Sequence, residues 1–385
     1  MQVRKEIIGA LARTQRPPPF LETLKVLSSV IFVRRAHTES CEKQLQKSRG
    51  RNGIMRKKRI AATLLCAFAF ALLPCGVWAE ELLVGGQTVG IEISAEGVIV
   101  SGFSRVETEE GELSPAEEAG FLPGDLIVKL NGQPIRTAED LIGAVAQLGG
   151  DEAAVDVRRG EGTAQLKVRP ALSPNGQWLL GLWLRDGVSG VGTLTFVEPE
   201  SGLFGALGHS VNEEDSGVRV PLRSGRLWAA EIVGVSPGSP GTPGELSGSS
   251  DSTDTIGSVE KNTPAGIFGH LSALPSGQLL QTGQMRTGEA CIISTLSGHE
   301  AREYAVEIDR VYTDGGETRA LLTVTDSALI SGAGGIVQGM SGSPIIQDGS
   351  IVGAVTHVFV NDPRRGFAIG IYDMLGAAHS EARAA

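Results

Sequence analysis

Short apolar runs separated by glycine turns make up most of the chain from Leu172 onward. No stretch of helical periodicity and useful length appears there before Tyr372–Ala378. The 52 glycines among 385 residues are nearly twice the usual share of about 7%, and glycine suits the tight turns between strands. Short strands at regular spacing are typical of a β-barrel or β-sandwich. The sequence therefore predicts a mainly β fold.

A basic and then apolar segment divides the first 79 residues from the rest. Met55 precedes four basic residues, Ile60–Leu73 is apolar almost throughout, and small residues stand at the −3 and −1 positions of a cut after Ala79. This pattern indicates a secretory signal at 55–79. An uncleaved membrane anchor is the alternative, although the apolar run is shorter than the roughly 20 residues that cross a bilayer comfortably. Residues 1–54 are interpreted as an upstream extension from a start codon assigned too early, with no fold.

The charge beyond Ala79 excludes some classes of partner. That part has 19 basic and 40 acidic residues, a net charge of −21, which repels nucleic acid and anionic lipid. It holds one cysteine, Cys291, so it has no internal disulfide. Cys291 alternates with apolar neighbours, which favours a buried core residue over a catalytic thiol.

The pattern between Glu80 and Pro170 indicates a small α+β module. "TVGIEISAEGVIVSGF" predicts two strands, "SPAEEAGFLPGDLIVKLNGQPI" a short helix, a strand and an Asn-Gly turn, and "TAEDLIGAVAQL" an amphipathic helix capped by Thr137. This succession resembles a PDZ domain of the bacterial protease type, placed at 80–171. The resemblance implies that Thr88, Val89, Gly90 and Ile91 form the loop whose N–H groups hold a peptide carboxylate, with the peptide adding as a strand. A spacer domain with a closed groove is the alternative.

The hexapeptide "GMSGSP" places Ser341 between small residues, two positions after Gly339. A nucleophilic serine needs an exposed Oγ on a tight turn, with backbone N–H groups aimed at the developing oxyanion. We expect those donors to be the N–H groups of Gly339 and Ser341. The following strand, "SIVGAVTHVF", is predicted to line the substrate cleft. A Gly/Ser turn without chemistry is the alternative.

A serine nucleophile needs a base, and His209 in "FGALGHSV" is the best candidate among the exported histidines. It lies at the end of a short apolar strand, and it precedes Ser341 in the chain, as the base does in chymotrypsin-like enzymes. His357 lies 16 residues after Ser341 on the strand predicted to line the cleft. It either shapes the pocket for a substrate side chain or is a packed strand histidine.

These motifs, with "EKNTPAGIFG" and "AVTHVFVNDP", closely resemble the SpoIVB peptidases, the stage IV sporulation serine peptidases of endospore-forming bacteria. The resemblance runs from about Leu83 to the C-terminus. It implies a chymotrypsin-like double β-barrel at 178–380 and a catalytic triad of His209, Asp326 and Ser341. Asp326 lies only 15 residues before Ser341, whereas the acid of most chymotrypsin-like enzymes comes much further upstream. Asp309 therefore remains the alternative acid.

The same resemblance implies a signalling function. The expected enzyme is a serine endopeptidase with no metal or cofactor that cleaves itself after export to the space between forespore and mother cell. There it cleaves a membrane-bound regulator so that a sigma factor becomes active. The PDZ domain is expected to bind a peptide C-terminus or the enzyme's own processed end. The alternatives are a non-catalytic PDZ scaffold and a general extracytoplasmic quality-control protease.

Overall fold

The computed structural model describes residues 80–160, 162–213, 217–249 and 254–380. The strands of these ranges are β1 (Glu81–Val84), β2 (Thr88–Phe103), β3 (Val106–Thr108), β4 (Gly111–Leu113), β5 (Leu126–Leu130), β6 (Gln133–Pro134), β7 (Ala153–Arg159), β8 (Gly162–Val168), β9 (Ala171–Leu172), β10 (Trp178–Leu179), β11 (Leu182–Val197), β12 (Leu203–Ala206), β13 (Leu222–Ala229), β14 (Glu231–Ser236), β15 (Glu245–Ser249), β16 (Thr255–Thr263), β17 (Gly266–Leu271), β18 (Leu279–Gln281), β19 (Gly288–Thr295), β20 (Ala301–Asp314), β21 (Glu317–Val324), β22 (Pro344–Gln347), β23 (Ser350–Phe359) and β24 (Asp362–Gly370). Their helices are α1 (Pro115–Glu118), α2 (Ala138–Gln147), α3 (Ser327–Ala333) and α4 (Ile371–His379).

A first barrel forms from six antiparallel strands. β11, β12, β17, β16, β13 and β2 are neighbours in this order, and the pairing of β2 with β11 closes the ring. Alternate residues of β2, Val89, Ile91 and Ile93, are buried in its core. They pack with Phe204 and Leu227 from the facing strands, as the two-residue period of a strand requires.

A second barrel is closed by β19, β20, β21, β24, β23 and β22. Its interior contains Ile292, Val306, Leu322 and Val355, one from each of four strands. Met340, from the turn that contains the predicted nucleophile, is fully buried in the same cluster. The nucleophile turn is therefore anchored in the core of this barrel by the side chain next to Ser341.

The PDZ module is built from the second half of β2 together with β5, β7 and β8, and from helices α1 and α2. Its core includes Phe121, Ile127 and Leu141. Helix α2 begins with a capping box, in which Thr137 accepts from the Asp140 N–H and Asp140 accepts from the Thr137 N–H. This confirms the cap that the sequence predicts and satisfies N–H groups that a helix start leaves unpaired.

The two domains share strands, which corrects the predicted division at 80–171 and 178–380. The first half of β2, up to Ala95, pairs with β11 and β13 inside the first barrel. The start of β11, Leu182–Arg185, pairs with the Ile99–Phe103 end of β2 inside the PDZ sheet. Each long strand therefore begins in one domain and ends in the other. The boundary prediction failed because it assumed that each domain occupies a continuous stretch of chain.

The predicted mainly β fold, with a small module of strands and helices beside two β-barrels, is confirmed. The signal or anchor predicted at 55–79 and the extension at 1–54 lie outside the described residues. Among the residues that are described, no helix has the length and apolar character needed to cross a membrane.

Candidate active site

Two glycine turns pack backbone against backbone to form the site. Gly342, with φ of 94°, lies so close to the first barrel that a Cβ there would sit 2.1 Å from the Thr193 oxygen and 2.5 Å from the Leu207 nitrogen. Gly208, with φ of 69°, faces the second barrel, where a Cβ would lie 3.0 Å from the Thr356 side-chain methyl and 3.4 Å from the Val355 oxygen. Only glycine permits both the left-handed backbone and the close approach. The motifs "GMSGSP" and "GALGHS" are thereby brought together from different barrels.

Ser341, His209 and His357 line one cleft of about 630 Å³. Gly339 lines it as well, so the predicted nucleophile, base, oxyanion donor and pocket residue share a single site. The cleft is also bordered by Val188–Val191 of β11. The structure thus unites the predicted site residues with the exception of the orienting acid.

The Ser341 hydroxyl is half-buried and donates a hydrogen bond to the Thr356 carbonyl oxygen, at 2.6 Å. A nucleophile must instead donate its proton to the base. The hydroxyl therefore has to turn away from Thr356 before it can attack a substrate. In the observed rotamer the Ser341 proton is directed at the Thr356 carbonyl and not at a histidine.

The two predicted oxyanion donors are held by bonds to the carbonyls of the preceding residues. The Met340 carbonyl accepts from the Ser343 N–H at 3.0 Å and from the Ser343 hydroxyl at 2.7 Å. The Gln338 carbonyl accepts from the Leu246 N–H at 2.9 Å. Because C=O and N–H point in opposite directions across a trans peptide, these bonds direct the N–H groups of Ser341 and Gly339 the other way. Within the described ranges, neither N–H donates to a backbone carbonyl.

Ser343 is one residue whose role the sequence did not indicate. It is fully buried, and its hydroxyl bonds across the turn to the peptide unit that carries the Ser341 N–H.

A second missed contribution comes from the Gly/Ser/Pro-rich stretch around β15. Glu245–Ser249 forms β15, and the chain beside it bonds Gln338 on both sides, with Gly244 accepting and Leu246 donating. Composition alone does not show that such a segment supports the nucleophile turn.

His209 is oriented by a backbone carbonyl. Its Nδ1 lies 2.8 Å from the Ser210 oxygen. A carbonyl oxygen only accepts, so Nδ1 carries the hydrogen, and in the neutral ring Nε2 keeps its lone pair. Burial lowers the pKa of His209, and the nearby positive charge of Arg319 lowers it further. A neutral imidazole with a free Nε2 is the form that a general base requires.

The acid of the implied triad does not reach His209 in the described structure. Asp326 caps helix α3, accepting from the N–H groups of Ala328 and Leu329 at 2.8 and 2.9 Å. The alternative, Asp309, accepts from the Thr323 hydroxyl at 2.7 Å. Neither carboxylate lines the cleft. In this geometry Asp326 and Asp309 both bond within the second barrel, so Asp326 as the acid, with Asp309 as the alternative, stays a prediction.

His357 stacks on His209, with ring centroids 4.5 Å apart and planes tilted by 34°. Partial desolvation in the cleft, with repulsion from His209 and Arg319, lowers the pKa of His357 to about 4. Both imidazoles are therefore neutral near pH 7. His357 lines the cleft beside His209, and its role in shaping the pocket for a substrate side chain stays a prediction.

Cys291 is half-buried, and burial together with Glu303 raises the pKa of its thiol to about 11. A thiol that holds its proton this firmly is a poor nucleophile. A separate group in the described chain, Glu80, Glu198 and His379, has side-chain types that bind metals. His379 pairs with Glu198 at 2.8 Å, and none of the three lines the cleft.

The peptide loop predicted at Thr88–Ile91 is wrong. These residues form a buried part of β2, with β11 paired on one edge and β13 on the other. A Cβ on Gly90 would lie 2.0 Å from Nε1 of Trp228, so no room exists for a peptide. The pattern "TVGI" fits both a carboxylate loop and a buried strand, and tertiary pairing decides between them.

An apolar groove of about 200 Å³ lies elsewhere in the PDZ domain, between α2 and the start of β11. Leu141 and Val145 of the helix face Leu182 and Leu184 of the strand, and Arg105 lies at its border. The Ser104 N–H donates to the Gly181 oxygen at 3.0 Å, which makes Leu182 and Phe103 a non-hydrogen-bonded pair. The N–H and C=O of Leu182 therefore point to the opposite edge, toward α2, where an added strand could bond them.

Comparison with known families decides the identity of the catalytic domain. The profile described as SpoIVB peptidase S55 matches residues 176–375, which is more than half of the chain. The chain belongs to the SpoIVB peptidase S55 family. A PDZ domain profile matches residues 108–159 of this S55 peptidase. The predicted family and the predicted class, a serine peptidase with a PDZ domain, are confirmed.

Individual relatives of this S55 peptidase share only parts of it. Putative zinc metalloproteases of Xylella fastidiosa, strains Temecula1 and 9a5c, are 35% identical over 72 residues, 18% of this chain and 16% of theirs. This chain thus spans a small part of the length of those curated relatives. The PDZ domain of the SdrC-like protein Lmo2051 of Listeria monocytogenes is 22% identical, over 24% of this chain and 93% of that one, with a TM-score of 0.20. The active form of the Rv3671c protease of M. tuberculosis is 15% identical, over 50% and 76%, with a TM-score of 0.30.

Proposed function

We propose that this chain is an exported, self-cleaving serine endopeptidase in which Ser341 is the nucleophile and His209 the general base. The observation that supports this most strongly is the cleft itself. It holds the Ser341 hydroxyl, a neutral imidazole with a free Nε2, and two backbone N–H groups without backbone acceptors in the described ranges. These are the groups that acyl transfer by serine requires.

The reaction proceeds through an acyl-enzyme. The Ser341 hydroxyl turns from Thr356, gives its proton to Nε2 of His209, and its oxygen bonds to the scissile carbonyl carbon. The resulting oxyanion accepts from the N–H groups of Gly339 and Ser341. His209 then passes the proton to the leaving amine, the peptide C–N bond breaks, and a water activated by His209 hydrolyses the ester.

The Ser210 carbonyl takes the place that a carboxylate holds in a triad. It accepts from Nδ1 and fixes both the tautomer and the plane of the ring. It has no full negative charge, so it stabilises the imidazolium less than an aspartate would. A Ser–His dyad with a carbonyl orienter is the arrangement that we propose for this protein.

The PDZ groove is the proposed binding site for a peptide partner. An apolar side chain fits between α2 and β11, and the outward N–H and C=O of Leu182 suit a peptide that adds as a strand. We place a chain end of the enzyme itself or of a membrane-associated regulator there. The family resemblance supports a role in sporulation signalling in the space between forespore and mother cell.

Labelling with a fluorophosphonate probe tests the proposal. The full chain should react at Ser341, and labelling should disappear in Ser341→Ala and in His209→Ala. Ser331→Ala, at an exposed serine on α3, is the matched control and should label normally. A wild-type chain that folds but does not label contradicts the proposed activity. N-terminal sequencing of the secreted protein then tests export and self-cleavage, and the absence of casein digestion would separate signalling from quality control.

A further inference from the structure

Strand β11 connects the PDZ groove to the nucleophile turn without interruption. Its first residues, Leu182 and Leu184, line the groove, and Val188–Val191 line the catalytic cleft. Thr193 follows within the same strand, eleven residues after Leu182. At the rise of a β-strand this distance is about 36 Å along the chain. One continuous element therefore touches both sites.

The catalytic end of β11 holds the nucleophile turn directly. The Thr193 N–H donates to the Ser341 oxygen at 2.9 Å, and the Thr193 hydroxyl donates to the Gly339 oxygen at 2.8 Å. The Thr195 hydroxyl donates to the Gly342 oxygen at 2.7 Å. Both threonines are fully buried. Three bonds from one strand thus fix the carbonyls of Ser341 and of residues on both sides of it.

Between its two ends, β11 contains register irregularities in its pairing with β2, between Trp183 and Leu184 and between Arg185 and Gly187. Such irregularities bend a strand and increase its local twist. Gly187 sits against the Ile93 carbonyl, where a Cβ would lie 2.1 Å from the oxygen. The direction in which β11 enters the barrel is therefore set at this bend, next to the groove.

We propose that a peptide chain end bound beside Leu182 changes the reactivity of Ser341 through β11, and that Thr193 is the positioning residue at the catalytic end. The inference rests on the proposed function. A peptide that pairs with the free edge of Leu182 fixes the twist of the strand before the bend. Thr193 transfers the resulting shift to Gly339 and Ser341 because its bonds move with the strand. The groove suits a strand-adding chain end with an apolar last residue, and the positive charge of Arg105 at its border favours a free carboxylate over an amide.

The experiment uses the full chain and a fluorescein-labelled decapeptide that ends in Leu-Val with a free carboxylate. Its C-terminal amide is the control ligand. Peptide affinity is measured by anisotropy on Ser341→Ala, and the rate of fluorophosphonate labelling is measured on the active chain with and without saturating peptide. We expect the carboxylate peptide to change the labelling rate by about fivefold or more and the amide to leave it unchanged.

The decisive variants are Thr193→Val, which removes the hydroxyl and keeps the shape, and Thr193→Ser, which restores the hydroxyl. In Thr193→Val we expect normal peptide affinity, slower labelling, and a peptide effect reduced to within about twofold of none. Thr193→Ser should recover the effect. A purely structural role would slow labelling in Thr193→Val but leave the fold-change by peptide intact, and that result overturns the proposal.

Other outcomes are also decisive. A peptide that fails to bind, or that binds without changing the labelling rate of the wild-type chain, overturns the coupling while Ser341 still labels. A wild-type chain that does not label at all overturns the proposed peptidase activity instead. If Thr193→Val does not fold, Thr195→Val repeats the test at the neighbouring hydroxyl bond to Gly342.

Discussion

The role of Ser343 leads to a quantitative prediction. Ser343→Ala removes the hydroxyl that donates to the Met340 oxygen at 2.7 Å, but that oxygen keeps the Ser343 N–H at 3.0 Å. No buried acceptor is left without a partner, so the loss of stability should be that of one hydrogen bond, about 0.5–1.5 kcal/mol. If this whole free energy is lost from the transition state, because the Ser341 N–H is held less rigidly, kcat falls by at most about tenfold.

This bound separates three explanations. Loss of an oxyanion donor itself costs roughly 10²- to 10³-fold, and loss of the nucleophile roughly 10⁴-fold or more. The assay is kcat and KM on a peptide substrate, with the free energy of unfolding from urea titration. Ser331→Ala is the matched control, because its exposed hydroxyl also donates to a backbone carbonyl, at 3.2 Å. If Ser343→Ala abolishes activity and Ser341→Ala does not, the nucleophile has been misassigned.

Four further predictions concern the base, the pH dependence of activity, the pH dependence of stability and the shared strand. His209→Ala should be as inactive as Ser341→Ala, and the double variant no worse, because the two act as one unit; additive losses in kcat would show that His209 is structural. The acid limb of kcat/KM should have its midpoint below pH 6.5, the ordinary histidine value, because burial lowers the pKa of His209; a midpoint above 6.5 contradicts this. Between pH 6.5 and about 4, His357 binds a proton in the unfolded chain but not in the folded chain. The free energy of unfolding should therefore fall as the pH drops through this range, and it should fall less steeply in His357→Gln. Gly90→Ala should destabilise the fold by about 1–3 kcal/mol or more through its clash with Trp228, whereas Gly102→Ala on the same strand, with ordinary contact at 3.5 Å, should be mild in the same urea titration.

The parts of the site that the sequence predicts well are those in which chemistry and local structure coincide. "GMSGSP" indicates both a turn and a candidate nucleophile, "GALGHS" places His209 after a glycine that the turn needs, and the structure brings the two motifs to one cleft. The parts that it does not predict depend on long-range pairing. Nothing near His209 in sequence indicates that its orienting group is the carbonyl of the next residue.

The predicted PDZ peptide loop shows that a local sequence pattern can also mislead when long-range pairing decides the structure. Thr88–Ile91 has the local pattern of a carboxylate loop, yet the residues that pair with it come from β11 and β13, about a hundred or more positions later in the chain. The groove instead uses Leu182 and Leu184, which the sequence assigned to the peptidase domain. Local periodicity does not specify the register between strands that are far apart in sequence. The fold class could therefore be predicted, but the domain to which each strand belongs could not.

The shared strands also bear on how the enzyme tolerates being cut. The first half of β2 completes the first barrel, yet the whole PDZ module intervenes before β11 supplies its neighbouring strand. A nick in a PDZ loop would therefore yield two polypeptides that remain interlocked by the ladder between β2 and β11. A chain that began after the PDZ module would lack one strand of the first barrel, the first half of β2. It would also lack the core residues Val89, Ile91 and Ile93 on that strand. For this protein, proteolytic processing within the module and deletion of the module are different events: the first leaves a two-chain enzyme, and the second removes part of the catalytic domain.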